Sequence, residues 1–439
     1  MSGGSVALDR PPQDSIWGNR PFMLLWSAQG ISQTAQNAIW FALMVLIEET
    51  TRSTTQLGIA IVSFILPSVI FTVPAGVLVD RVDKRLVLVL TNWLRAVAVL
   101  GYILFAQSLT LIYSVTFAFS VVSQFFLPAE AAMIPALVGR GKLITANSLF
   151  NLTFTISQLV GIVFLAPIAI KLFGIDVLFV VIALLFALCG FLVLPLPGRA
   201  APHARAPEPD GMKAFRRFAA DLQETWRFIR SDGRASMAMV VLTSGATLSL
   251  VTAMLAPRYM VAVVGIRADD TVYVLAPAGV GMALGALIVG RLSRWVVKEL
   301  LIVAGVMVVS AGMLLLAVVT PLWGIIFHGL LAVLVNPDQL PRMVSLVSMV
   351  MMVAWVLGLA LSIVIISSQT ILQEQAPVSS RGRIFAVQIM LGNLASILPL
   401  VLVGGLADLF GVSTVLVLLA AAMFALGYTA MRAYRDAIW

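Results

Sequence analysis

The stretch GVLVDRVDKRLVLVL, residues 76–90, sets five charges within six residues between two apolar runs. An ionic island that dense has to reach water. The runs beside it, 55–79 and 86–106, are each long enough to leave it again. A helix rises about 1.5 Å per residue, so about 20 apolar residues cross a hydrocarbon core of about 30 Å. The island therefore reads as a tight turn at a membrane face, joining two membrane-spanning helices.

The same alternation of long apolar runs and short polar turns extends in both directions. It predicts twelve spans, near 22–47, 55–79, 86–106, 109–136, 145–171, 175–195, 235–257, 271–291, 299–319, 346–373, 384–407 and 412–432. With 61% hydrophobic and 11% charged residues, the composition excludes a water-soluble protein. The net charge of +8 marks orientation and not a nucleic-acid partner. Of 28 Lys and Arg, only Arg52, Lys171, Arg258, Arg267 and Arg342 fall on one side, and Arg95 lies inside the third span. The excess on the other side places both termini in the cytosol of a multi-pass cell-membrane protein. The polar tail, 1–21, with Pro11 and Pro12, lacks the pattern of a secretory signal, so the first span is expected to stay in the protein. Cys189 is the single cysteine, and His203 and His328 stand apart from any carboxylate cluster. No disulfide, metal, cofactor or catalytic residue is expected.

The expected fold class is all-α integral membrane, with twelve transmembrane helices in two pseudo-symmetric six-helix bundles, 22–195 and 235–439. A Pro/Ala/Arg-rich linker, 196–234, joins them. Its segment 212–229 has helical apolar spacing beside four basic residues, with a fifth, Arg230, directly after it. This predicts a helix along the membrane surface, an anchor of topology or a site for anionic lipid or a regulator. Short matches relate the halves: Ser123-Gln124 to Ser368-Gln369, and Leu172-Phe173-Gly174 to Leu409-Phe410-Gly411. The second half is longer by an outer insertion near 320–345, read as interfacial or re-entrant.

Charges within spans are rare, which singles out Arg95 and Glu130. Their depths along neighbouring spans allow them to pair. The sequence leaves open a structural ion pair, a latch component, or a proton or substrate site. Glu374 is read as a partner of Arg381 or Arg383. Polar side chains at helical spacing are unsuited to lipid and predict a lined cavity: Gln29, Gln33, Gln36, Asn37 and Trp40 in span one, and Asn151 and Gln158 in span five. Gln124, Thr247, Gln369 and Asn393 join them as candidate substrate contacts, with interhelical hydrogen bonding as the competing role.

The loop Gly76-Val-Leu-Val-Asp80-Arg81-Val-Asp83-Lys84-Arg85 resembles the major facilitator signature G-x-L-x-D-R-x-G-R-R/K, at the expected place between spans two and three. Asp83 departs from it, standing where the pattern has glycine. The resemblance implies an inner latch of Gly76, Asp80, Arg81 and Arg85. In it, Gly76 permits close helix approach and Asp80 faces the positive N-terminal end of span eleven. The stretches 125–151 and 372–387, with GGLADLFG from Gly404, resemble a bacterial exporter branch that includes enterobactin-exporter-like and macrolide-efflux-like proteins. That resemblance implies alternating access, with spans one, four, seven and ten lining a central path. The expected function is secondary export of amphipathic or hydrophobic small molecules by a monomer in contact with membrane lipid, with protons as candidate coupling ion. The alternative is a lysophospholipid or other lipid flippase. Span five has Gly161 followed by Leu165, Ala166 and Pro167 in place of the G-x-x-x-G-P of drug/proton antiporters, which counts against proton coupling.

Overall fold

The computed structural model describes residues 16–198, 232–325, 346–375 and 381–435. Among these, twelve helices are long and apolar enough to cross a membrane. They are α1 Arg20–Thr51, α2 Thr54–Arg81, α3 Lys84–Leu104, α4 Leu109–Leu137, α5 Leu143–Phe173 and α6 Ile175–Val193, then α7 Gly233–Val264, α8 Val272–Leu292, α9 Lys298–Ala317, α10 Leu346–Gln375, α11 Arg381–Phe410 and α12 Val412–Ala433. Helix is the element that satisfies every backbone donor and acceptor within a single segment in lipid. Each expected span falls on one of these helices. The surface helix expected over 212–229 and most of the insertion near 320–345 lie outside the described residues. The described start of the insertion forms a short helix, Val319–Ile325.

Twelve crossings return the chain to its starting side. The described chain ends, with Gly198 and Asp232 at the edges of the linker, therefore share one face, the terminal face, and the opposite one is the far face. Polar residues cap the helices at the turns. Asn19 accepts from Phe22 N, Ser53 from Gln56 N, and Asp232 from Arg234 N. The repeated Leu-Phe-Gly triplets have one structural meaning: Gly174 and Gly411 turn α5 into α6 and α11 into α12 at φ 87° and 83°. Only glycine enters that region without strain, so the same one-residue turn keeps the same residue.

Helix neighbours also recur with a shift of six: α2 on α4 and α8 on α10, α3 on α4 and α9 on α10, α3 on α6 and α9 on α12. Two bundles result. They meet chiefly along α2 with α11, with further contacts of α1 on α7 and α5 on α8. Within the second bundle α8 and α10 touch through backbone. A Cβ on Gly281 would sit 2.1 Å from the Trp355 carbonyl, and one on Gly358 1.9 Å from that of Ala278. Near this crossing, an open apolar groove of about 650 Å³ is lined by Val272, Tyr273, Pro277, Val280, Met352 and Trp355 among others. A wide π turn at Val160–Leu165 interrupts α5 just before Pro167, and another closes α7 at Met260–Val264 after Pro257.

Candidate functional site

Three polar contacts tie the bundles together at the far face. Asp408, in the last turn of α11, accepts hydrogen bonds from the Ser53 hydroxyl (2.6 Å), the Thr54 amide (2.6 Å), and the Thr55 amide (2.9 Å) and hydroxyl (2.6 Å). Buried Glu48 of α1 pairs with Arg258 of α7 at 3.3 Å. Lys171 of α5 pairs with Asp270, just before α8. Backbone approaches back these bonds: a Cβ on Gly58 would lie 2.8 Å from the Leu400 carbonyl, and one on Gly404 2.9 Å from that of Thr54. Deeper along the same two helices, Asn393 donates to the Ser68 hydroxyl at 3.1 Å. That bond lies nearer the middle of the two helices than the far-face contacts do.

At the terminal face Asp80 and Arg81 are exposed, and Lys84 donates to the Asp80 backbone carbonyl. Among the described residues, a Cβ on Gly76 would meet nothing within 4 Å. Among the described residues, no hydrogen bond or ion pair joins the Asp80 side chain to the other bundle. Asp83 explains its own departure from the signature: it caps α3, accepting from Arg85 N at 2.9 Å. Gly198, where the linker begins, leans on it, since a Cβ there would come within 2.9 Å of an Asp83 carboxylate oxygen.

The candidate polar residues divide by what holds them. Gln29 is buried between α1 and α5, donating to the Phe150 carbonyl at 3.3 Å and leaving its oxygen without a partner. Asn37 donates back to the Gln33 carbonyl (2.8 Å), and Trp40 stands edge-on to Phe64. Gln124 bridges its own helix at Ser120 to Thr72 of α2. Thr247 shares a 2.7 Å hydrogen bond with Ser396, and Asn393 is held by Ser68, so both join helices. Gln33 is buried, while Gln36 and Gln369 are half-buried. Asn147, Asn151, Thr155 and Gln158 form an exposed stripe on the part of α5 nearer the terminal face. Leu159 follows at once, within 3.4 Å of a Cβ built on Gly279 of α8, so that level of α5 meets the opposite bundle. The stripe thus lies where the bundles part.

Arg95 and Glu130 are both buried, at 1% and 4% exposure, but they do not form the ion pair that their depths allow: no N···O approach within 4 Å joins them. Arg95 is drawn elsewhere. One guanidinium nitrogen donates to the Ser32 hydroxyl at 3.1 Å and another to the Ser123 carbonyl at 3.4 Å, and the group lies 4.4 Å over the Phe126 ring with Phe186 and Phe119 beside it. Glu130 is seven residues beyond Ser123, about 10 Å along α4 toward the terminal face. The two charges act on each other through the intervening medium. Arg95 Nε and one Glu130 oxygen lack hydrogen-bond partners, an unusual condition for charged groups in a bundle core. Glu374 pairs with Lys298 of α9, and the side chains of its expected partners, Arg381 and Arg383, lie outside the described ones.

The far-face contacts escaped the sequence reading, which counted Arg258 and Lys171 only toward orientation. The available signal was Asp408 inside GGLADLFG, an acid one turn beyond a glycine pair at a span end.

Twelve spans in two bundles with polar residues at their meeting surface define a membrane transporter. The family model of the Major Facilitator Superfamily matches residues 25–341, and the chain belongs to that superfamily. It is a multi-pass membrane protein of a kind that binds small-molecule substrates. It is 26% identical over 398 residues to the uncharacterized MFS-type transporter YfiS of Bacillus subtilis, covering 89% of this chain and 88% of that one. Over 148 residues it is 28% identical to macrolide efflux protein A of Streptococcus pyogenes, covering 32% of this chain and 36% of that one. A match to YkuC of Bacillus subtilis, 28% over 151 residues, likewise spans about a third of each chain (34% and 35%). The nucleoside transporter NupG has the same fold at a TM-score of 0.74 and 12% identity, covering 94% of this chain and 99% of its own. A bacterial homologue of the lysosomal transporter Spinster, in an inward-facing and unoccupied conformation, matches at 0.67 and 11% identity, over 95% of this chain and 98% of its own.

Proposed function

We propose that this protein is a monomeric secondary transporter of the cell membrane, not an enzyme, that exports amphipathic or hydrophobic small molecules by alternating access. The observation that carries the reading is the closure of the far face: Asp408, Arg258 and Asp270 tie the bundles together there, and Asn393 on Ser68 holds α11 to α2 deeper in. With both termini cytosolic, a tied far face is the arrangement closed to the outside, which alternating access pairs with an opening to the cytosol. Cargo enters between α5 and the opposite bundle, past Asn151 and Gln158, toward Gln33, Gln36, Gln124 and Gln369. The neutral amides orient polar atoms of the cargo, and the apolar surround accepts the rest. When the terminal face closes, Asp80 moves against the first turn of α11, with Gly76, Arg81 and Arg85 completing the latch. Resemblance to macrolide efflux protein A supports export.

Glu130 is the proposed proton carrier. Buried, unpaired and within the field of Arg95, it stands where charging depends on which face admits water. The test is movement of fluorescent amphiphiles in proteoliposomes, with and without a proton gradient. The wild type is expected to move them with the gradient, and Glu130→Gln to lose at least about tenfold of that rate. Equal rates without the gradient would remove proton coupling. A lipid carrier of the same architecture is the second reading, favoured by the open apolar groove along α8 and α10. Transport of lysophospholipid alone in the same vesicles would select it.

A further inference from the structure

α2 starts at the far face, where α11 ends. The first turn of a helix carries amides with no intrahelical partner and a partial positive charge. In α2 that turn is capped twice. Ser53 serves as its own cap, accepting from Gln56 N at 3.3 Å, and the same hydroxyl donates onward to Asp408. The Asp408 carboxylate comes from the other bundle and takes the amides of Thr54 and Thr55 and the Thr55 hydroxyl, so one acid accepts four hydrogen bonds on one helix end. Bonds to an ionised acceptor are stronger than neutral ones, and these are aligned with the helix charge. The approach is fixed by backbone contact on either side of it. Gly404, one turn before Asp408, lies on Thr54, and Gly58, one turn after Thr54, lies on Leu400. Any widening of the far face breaks all four bonds together.

We propose that Asp408 is the bolt of the far face: docked on the first turn of α2 it keeps that face shut, and the face opens only when the carboxylate leaves for water. The arrangement is reciprocal. Asp80 ends α2 at the terminal face, where α11 begins at Arg381. Each of the two helices therefore carries, on its last turn, the acid that caps the other's first turn, and the two caps alternate. The proposal rests on the alternating-access reading but not on cargo or coupling ion, so failure of the transport assay leaves it standing.

The test reads the far face directly. Spin labels are placed at Val177→Cys in the first bundle and Thr414→Cys in the second, both exposed, in a Cys189→Ser background. Their separation is measured in lipid nanodiscs by double electron–electron resonance. The Asp408→Ala variant is expected to raise the long-distance population about tenfold over the parent, with Asp408→Asn between the two. The double variant Ser53→Ala/Thr55→Ala keeps the acid but removes two of its donors, and should shift the distribution in the same direction by less. It carries the test should Asp408→Ala fail to fold. Distance distributions matching the parent in every folded variant would overturn the bolt.

Discussion

The two bundles share one arrangement of helices but are held together by different means. In the first, aromatic rings pack against one another: Tyr102 stacks on Phe179, Phe119 meets Phe64 and Phe186, and Trp93 meets Phe191. The guanidinium of Arg95 sits among the rings of Phe119, Phe126 and Phe186. In the second bundle, α8 and α10 touch through Gly281, Gly285 and Gly358, and the buried polar groups of α9 and α10 are serine hydroxyls. Helices in lipid gain little by hiding apolar surface from a solvent that is itself apolar, so close backbone approach and interlocking rings are alternative sources of dispersion contact. The comparison suggests a division of work: one bundle holds charge, and the other supplies a tightly closed neutral wall.

The largest expected effect breaks the glycine contact. Gly358→Ala puts a methyl group 1.9 Å from the Ala278 carbonyl, where no flexible side chain can yield. It should destabilise the protein by about 3 kcal/mol or more, seen as a fall in melting temperature in detergent. Unchanged melting would mean that the second bundle does not depend on this crossing. Next, Phe126→Leu removes the ring nearest Arg95 while keeping much of its volume, and should cost about 2 kcal/mol, partly as lost cation–π attraction. A loss no greater than that of Phe71→Leu, whose ring meets only Phe117 among the ring contacts found, would reduce the aromatic socket to ordinary packing. The smallest effect is set for Glu374→Gln, which breaks an ion pair whose acid is 56% exposed. The shift should stay below about 1 kcal/mol, since water screens such pairs.

Much of this fold was readable in the sequence because hydropathy is a direct record of depth in a membrane. The run 109–136 became Leu109–Leu137, and the triplets at Gly174 and Gly411 announced identical turns. The site was less readable for a geometric reason. Depth along a helix places Arg95 and Glu130 near one another but does not say that the guanidinium turns toward Ser32 and Phe126. An amide has the same appearance in sequence whether it faces cargo or a neighbouring helix, and Asn393 and Thr247 are held by Ser68 and Ser396. Asp408 resembled any interfacial acid until its distance to the start of α2 was known.

The socket around Arg95 also bears on how the chain enters the bilayer. A lone third helix would offer a full charge to lipid, at a penalty of about 3 kcal/mol at the membrane centre. The rings that surround that charge belong to α4 and α6, both synthesised later. The relief of that penalty therefore arrives only once α4 and α6 have emerged, which ties the final seating of α3 to the completion of the first bundle.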